Sequence, residues 1–162
     1  MNKQQRAATN ERLYCCRLLL DWYRQQVDSQ VLSLRILEMA CGESLRLHIM
    51  AAYSAYLVEL SVTYNGPQEV FNNATQLNKT PIHCAELNEL LVLEADDTWL
   101  SRLLCSKTSE LVSPTSFPAG GGDISLLQSG SLQSSLSIDE LQLCYHSLKK
   151  LIDTHRSHSE EW

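Results

Sequence analysis

The stretch LRLHIMAAYSAYLVEL, residues 45–60, decides the fold. Its charged or titratable nitrogen and carboxyl groups are confined to Arg46, His48 and Glu59, and from Leu47 to Val58 there is no Asp, Glu, Lys or Arg. Neither Gly nor Pro interrupts it. A run this long exceeds an ordinary strand, and its alanines and leucines favour helix. Apolar positions on most sides predict a helix buried on most faces. This is the expected central helix of an all-α domain. Ala51, Ala52, Ser54 and Ala55 are small enough for a neighbouring helix to approach closely. Tyr53, Tyr56 and Tyr64 are expected to put rings in the core and hydroxyls at its edge.

Downstream, the helix is predicted to run to Tyr64 and stop at Asn65-Gly66-Pro67. Asn or Gly accepts a left-handed cap, and Pro cannot continue a helix. Upstream the boundary is less marked. Val27-Asp28-Ser29-Gln30 is the best turn signal, although it lacks Gly and Pro. A break there leaves a second helix of roughly 50 Å, nearly twice the first. A turn nearer Ser33, or a bend at Cys41-Gly42, balances the pair better; an unbroken helix with Gly42 as a close-packing point is the fourth option.

Helix one is expected to start near Asn10, with Thr9 or Asn10 as cap and Glu11 in the first turn. Leu13, Cys16, Leu20, Tyr23 and Val27 follow helical spacing, and Leu19 and Trp22 widen that stripe. After the central helix, residues 68–79 are polar, with one short turn expected around Glu69-Val70-Phe71. Thr80-Pro81 resembles an N-cap and first-turn proline opening a short helix through Leu87, Leu90, Leu91 and Leu93. Asp96, Asp97 or Thr98 caps the next helix, which carries Trp99, Leu100, Leu103, Leu104 and Leu111. From Ser113 to Leu136, 13 of 24 residues are Ser, Gly or Pro, which predicts a long flexible loop, with Ile124, Leu126, Leu127, Leu132 and Leu136 available to lie over the bundle. Ser137-Ile138-Asp139-Glu140 is a capping box. The last helix then repeats cleanly through Ile138, Leu141, Cys144, Tyr145, Leu148, Leu151, Ile152 and His155. Lys149, Lys150 and Arg156 suit its C-terminal end.

The expected architecture is therefore a single domain over residues 1–162: an antiparallel bundle of four to five helices, with a flexible 113–136 loop before the last one. At 162 residues a sizeable core is possible. A net charge of −6 argues against general phosphate-backbone binding and against a basic membrane-surface helix. No secretory pattern opens the chain and no run is long enough to span a bilayer, so a soluble cytoplasmic protein is expected. Cys15, Cys16, Cys41, Cys84, Cys105 and Cys144 form no CxxC pair and read as free thiols in apolar or helical runs.

Few residues suggest chemistry. His48 is a titratable group in an apolar stretch, and two readings stand beside each other: a ligand or general base with Tyr53, Tyr56 or Glu59, or a core histidine bonded to a tyrosine or carboxylate. Di-iron bundles need Glu-x-x-His pairs, and none is present. His155 and His158 have the i, i+3 spacing of a weak surface metal site. GxSxG, phosphate-loop and dinucleotide motifs are absent. No catalytic residue, metal or cofactor is assigned. The segment Cys84 to Thr98 holds five acids and no base, and Glu86, Glu89 and Glu94 make it a candidate protein-interaction surface. The first thirty residues are net +2, too little for a nucleic-acid stripe.

Several stretches together resemble a family of uncharacterised small helical proteins of gammaproteobacteria. They are Asn10-Glu11-Arg12-Leu13-Tyr14 with Arg17-Leu18-Leu19-Leu20, the central LHIMAAYSAYLVEL, Leu87-Asn88-Glu89-Leu90-Leu91 with Leu93-Glu94-Ala95-Asp96 and Trp99-Leu100, and the final Glu161-Trp162. The resemblance covers the chain apart from the Ser/Gly loop, which is longer and looser than the family suggests. It implies an all-helical cytoplasmic protein and brings no activity or site residues. Two functions are carried forward. One is a non-enzymatic interaction or adaptor protein with a protein partner or a second copy of itself. The other is a small-molecule or metal-binding bundle centred on His48.

Overall fold

The computed structural model describes residues 3–106 and 136–160. Among them are six helices: α1 (Lys3–Ser29), α2 (Leu34–Thr63), α3 (Ala74–Leu77), α4 (Ala85–Ala95), α5 (Trp99–Cys105) and α6 (Ile138–Glu160). The fold is all-α. It exceeds the expected four to five helices because the polar linker after α2 contains α3. Residues 113–135 of the expected loop, with Leu111, Ile124, Leu126, Leu127 and Leu132, lie outside the described residues, as does Trp162.

The α1–α2 hairpin is balanced by a feature the sequence reading missed. Helix α1 begins at Lys3, not near Asn10. Thr9 does not cap it: its hydroxyl donates back to the Gln5 carbonyl at 3.1 Å, inside the helix. Gln5 and Thr9 are both buried. With 27 and 30 residues, the two helices are about 40 and 45 Å long. The turn falls where the weak signal lay. Gln30 takes a positive φ of 55°, and Ser33 caps α2 by accepting the Ile36 amide at 3.4 Å.

Helix α2 runs unbroken through Gly42, and no unusually close neighbour requires glycine there. A Cβ there would meet only Ile138 Cδ1, at 3.8 Å, an ordinary contact. Gly66 is the glycine the packing requires. The chain leaves α2 through a Schellman motif: Asn65, at φ 57°, donates to the Val62 carbonyl, and the Gly66 amide donates to the Ser61 carbonyl at 2.8 Å. Asn65 supplies the left-handed residue. At Gly66 a Cβ would sit 2.3 Å from Ile82 Cδ1 and 2.6 Å from Ser61 Oγ, so this position is glycine for space.

Beyond α2, the expected turn at Glu69-Val70-Phe71 is not helical. Phe71 is buried instead, and its carbonyl accepts the Ser54 hydroxyl at 2.7 Å, made possible by the small residues on α2. Asn73 caps α3. Thr80 does not open the next helix: its hydroxyl donates back to the Leu77 carbonyl, closing α3, and α4 starts at Ala85. Thr98 caps α5 in a capping box with Ser101, and Ser137 caps α6 in the expected box with Glu140.

One core runs through these elements. Ile49, Ala52, Tyr53, Tyr56 and Leu57 of α2 meet Leu13, Cys16 and Leu20 of α1 and Leu141, Leu148 and Ile152 of α6. Leu87, Leu90, Leu100 and Leu103 close it from α4 and α5. Helix α2 is central, as its composition predicts. It is not buried all round, since Leu47 is exposed and His48 is half-buried.

Candidate functional site

The densest polar chemistry lies where α2 meets α6. Tyr56 and Glu59 are one turn apart on α2, so both point at the same neighbour. On α6 that neighbour is the consecutive pair His155-Arg156. Burial there demands pairing, because an isolated charge or donor in the interior is costly. The Arg156 guanidinium grips Glu59 with two parallel bonds, Nε to Oε1 at 2.8 Å and Nη2 to Oε2 at 2.7 Å. Its Nη1 donates to Asn10 Oδ1 of α1 at 2.8 Å. Both side chains of the ion pair are less than 10% exposed, at 9% and 5%.

His155 sits between Tyr56 and Glu89. Tyr56 Oη lies 2.5 Å from Nδ1, and Nε2 lies 2.9 Å from Glu89 Oε2 on α4. A carboxylate only accepts, so the proton on Nε2 goes to Glu89. Nδ1 then accepts the Tyr56 hydroxyl, an arrangement assigned from the bonding pattern. Burial pushes the Tyr56 phenol far above its usual range, and the nearby Glu59 and Glu86 charges push the same way. The phenol therefore stays protonated as a donor. A small cleft beside it, about 20 Å³, is lined by Tyr56, Glu59, Leu60, Thr63, Tyr64, Glu86, His155 and Arg156. That is room for about one water.

Of the four residues expected around a ligand, the structure brings together only Tyr56 and Glu59. His48 lies eight residues before Tyr56, about 12 Å along α2, and does not line this cleft. Tyr53 faces elsewhere: its hydroxyl donates to Glu94 Oε1 at 2.6 Å. His155 and Arg156 were legible in sequence only as an apolar-phase position and a helix-end charge. His155 is 4% exposed and doubly bonded, so the His155–His158 surface pair is not formed. Among the described residues no group of three or more His, Cys, Asp or Glu is placed to hold a metal ion. No buried side-chain nitrogen or oxygen there lacks a hydrogen-bond partner. The cluster spends its donors and acceptors on tying α1, α2, α4 and α6 together.

The three acids of the expected interaction surface are also engaged within the chain. Glu94 accepts the Ala74 amide at 2.6 Å and the Thr75 amide at 3.3 Å, besides Tyr53, and so holds the start of α3. Glu86 accepts the Tyr64 hydroxyl at 3.0 Å; burial first, and this bond second, push that phenol up to about 12. Glu89 bonds His155 yet keeps its side chain 55% exposed. The buried cysteines offer little nucleophilicity: burial pushes the Cys16 thiol up to about 12 and Cys144 to about 11.

The outward face of α1 is the opposite of this closed network. Tyr14, Leu18 and Trp22, spaced i, i+4 and i+8, are 57%, 49% and 43% exposed. Trp22 therefore does not widen the core stripe as expected: it lies half a turn around the helix from buried Leu13, whereas Leu19 and Tyr23 pack against the core. At the hairpin tip Val31, Leu34, Ile36 and Met39 are also exposed. No helix among the described residues is long and apolar enough to cross a membrane.

Comparison with curated proteins and with solved structures returned no match. A family model does match, over residues 1–162, and the chain belongs to that family, a family of unknown function (DUF6586).

Proposed function

We propose that the protein is a non-enzymatic interaction protein: a single cytoplasmic domain whose α1 outer face is its contact surface. The observation that carries this reading is the exposed ridge of Tyr14, Leu18 and Trp22. Tyr and Trp are the residue types that dominate binding energy at protein interfaces. A soluble helix normally turns such side chains inward, and an exposed apolar ridge marks a contact site. The polar cluster supports the same reading, since its groups are already satisfied within the fold.

The test replaces the ridge by Tyr14→Ser, Leu18→Ser and Trp22→Ser in the full chain. Helix content by circular dichroism checks folding, and cross-linked native lysate reports the partners. Partners held by the wild-type chain are expected to be lost from the variant. The same set held equally by both would overturn the reading. Reversing Glu86, Glu89 and Glu94 is a poorer test, because it would also remove the His155 contact and the Glu94 bonds to the first amides of α3.

The second reading, a small-ligand site, is favoured by the cleft between Tyr56 and His155. Native mass spectrometry decides it: a mass above 18.3 kDa by a metal or small molecule supports that site, and the bare chain mass opposes it. His48 enters only if its substitution removes the extra mass.

A further inference from the structure

We propose that the α1 ridge pairs with the same ridge of a second copy, antiparallel, across a two-fold axis through Leu18; this rests on the reading of α1 as a contact surface. Leu18 is the middle of an exposed line that reads alike in both directions. Tyr14 and Trp22 stand four residues to either side of it, Glu11 and Gln25 seven, and Ala7 and Ser29 eleven, all of them exposed. The line keeps within about 80° of the helix circumference and is about 33 Å long. A two-fold axis through Leu18 therefore brings each position level with a counterpart of similar kind. Leu18 meets Leu18, Tyr14 meets Trp22, Glu11 meets Gln25, and Ala7 meets Ser29. An aromatic pair then flanks the leucines on each side, the Gln25 amide is a donor for the Glu11 carboxylate, and small residues close both ends.

Charge favours the same direction. Arg17, Asp21, Arg24 and Asp28 share one flank of the ridge, about 60–120° around the helix from it. In the antiparallel pair each flank faces its own counterpart. Arg17 then comes within about 3 Å, along the axis, of the level of Asp21 of the second copy, and symmetry makes this pair twice. Asp28 comes as near in level to Arg6 of the second copy. Arg12 and Arg24 are level with each other but lie on opposite flanks. Within its own chain Asp21 holds Arg17 and Arg24 only loosely, at 3.6 and 3.5 Å, with its side chain 44% exposed. A parallel pair through the same ridge would instead set Glu11 on Glu11, Arg17 on Arg17 and Asp21 on Asp21, each a like-charge contact. Residues 1–30 are net +2 in a chain of net −6, so the acid excess lies outside α1. A contact of one surface with itself closes at two copies. A strip 33 Å long and half a helix circumference wide covers roughly 500 Å² per copy. That is short of the ~800 Å² per partner of a standard interface, so the dimer dissociates on dilution.

Sedimentation velocity on the full chain over a range of concentrations tests this, with each variant checked for native helix content. The wild-type mean mass is expected to rise with concentration from 18.3 kDa towards twice that value and no further. Leu18→Glu sets two carboxylates on the axis and is expected to weaken the dimer at least about tenfold. Arg17→Glu and Asp21→Arg, each alone, turn both cross-chain pairs into like charges and are expected to weaken it about threefold. Mixed in equal amounts, these two variants restore opposite charges at both pairs, so the mixture is expected to dimerise as the wild type does. A wild-type chain that stays monomeric throughout overturns the proposal, while leaving the lysate experiment to judge the interaction reading by itself. Growth beyond two copies overturns it, as does a dimer indifferent to Leu18→Glu. Charge variants that pair as well alone as mixed overturn the antiparallel direction and the proposal with it.

Discussion

Replacing Arg156 by Met is the sharpest probe of how the bundle is held. The substitution removes two charge-assisted bonds to Glu59 and one to Asn10 while roughly keeping the apolar volume of the side chain. What remains is the Glu59 carboxylate, 5% exposed, with its counter-ion gone. Removing one partner of a buried ion pair costs about 3–5 kcal/mol, most of it the penalty of the abandoned charge. Native stability itself is only about 5–15 kcal/mol, so the variant should sit near the edge of folding. Urea denaturation followed by circular dichroism measures this. With a slope of about 2 kcal/mol/M, the midpoint should fall by about 1.5–2.5 M. The double variant Glu59→Met, Arg156→Met takes away both charges and should recover most of the loss, because two apolar side chains can replace a buried pair at little cost. A single variant that loses less than about 1 kcal/mol, or a double variant no better than the single, would refute the claim that the pair is buried and mutually dependent.

Three further outcomes follow from the packing. Tyr56→Phe leaves His155 Nδ1 without its donor, and should cost about 1–3 kcal/mol in the same urea assay; a neutral result would mean that the Tyr56–His155 bond is absent in solution. Gly66→Ala should destabilise by about 1–3 kcal/mol through its clash with Ile82 and Ser61, whereas Gly42→Ala, inside α2 with an open neighbour, should stabilise by about 0.5–1 kcal/mol; a reversed order of melting temperatures would contradict the packing at both sites. In base, the thiol of Cys16 and the phenols of Tyr53 and Tyr56 have folded values raised above their unfolded ones, chiefly by burial. Raised acids favour the protonated fold, so their stability is fully present below the ordinary thiol value of about 9 and is lost as pH climbs past it and past the phenol value of about 10. Absorbance near the tyrosinate band should show Tyr53 and Tyr56 ionising only together with loss of helix; ionisation with the helix signal intact would refute their burial.

The class of fold was legible in single stretches. Leu47 to Val58 has no charge and no breaker, so only a buried helix accommodates it. Asn65-Gly66-Pro67 stops that helix for reasons local to the backbone, and the Ser137–Glu140 box starts α6 the same way. Periodicity also announced that α6 buries Leu141, Cys144, Leu148 and Ile152. Where local chemistry offered two partners, reading failed. Thr9 and Thr80 have the look of N-caps, yet each hydroxyl bonds a carbonyl three or four residues back. Gly42 suited a bend or a close-packing point equally, and the choice depends on what α2 packs against there, which is a single ordinary contact with Ile138.

The polar cluster belongs wholly to tertiary structure. Glu59 and Arg156 are 97 residues apart, and nothing near either one announces the other. His48 stood out because its sequence neighbours are apolar, whereas His155 is the buried histidine because its spatial neighbours are Tyr56 and Glu89. Trp22, by contrast, lies half a turn from Leu13 on the helix, in phase with exposed Tyr14 and Leu18, so its outward direction follows from spacing within α1. Sequence by itself determined helix, breaks and class, because those follow from interactions within a few residues. The pairing of distant charges depends on which helix faces meet, and that is set by the assembled fold alone.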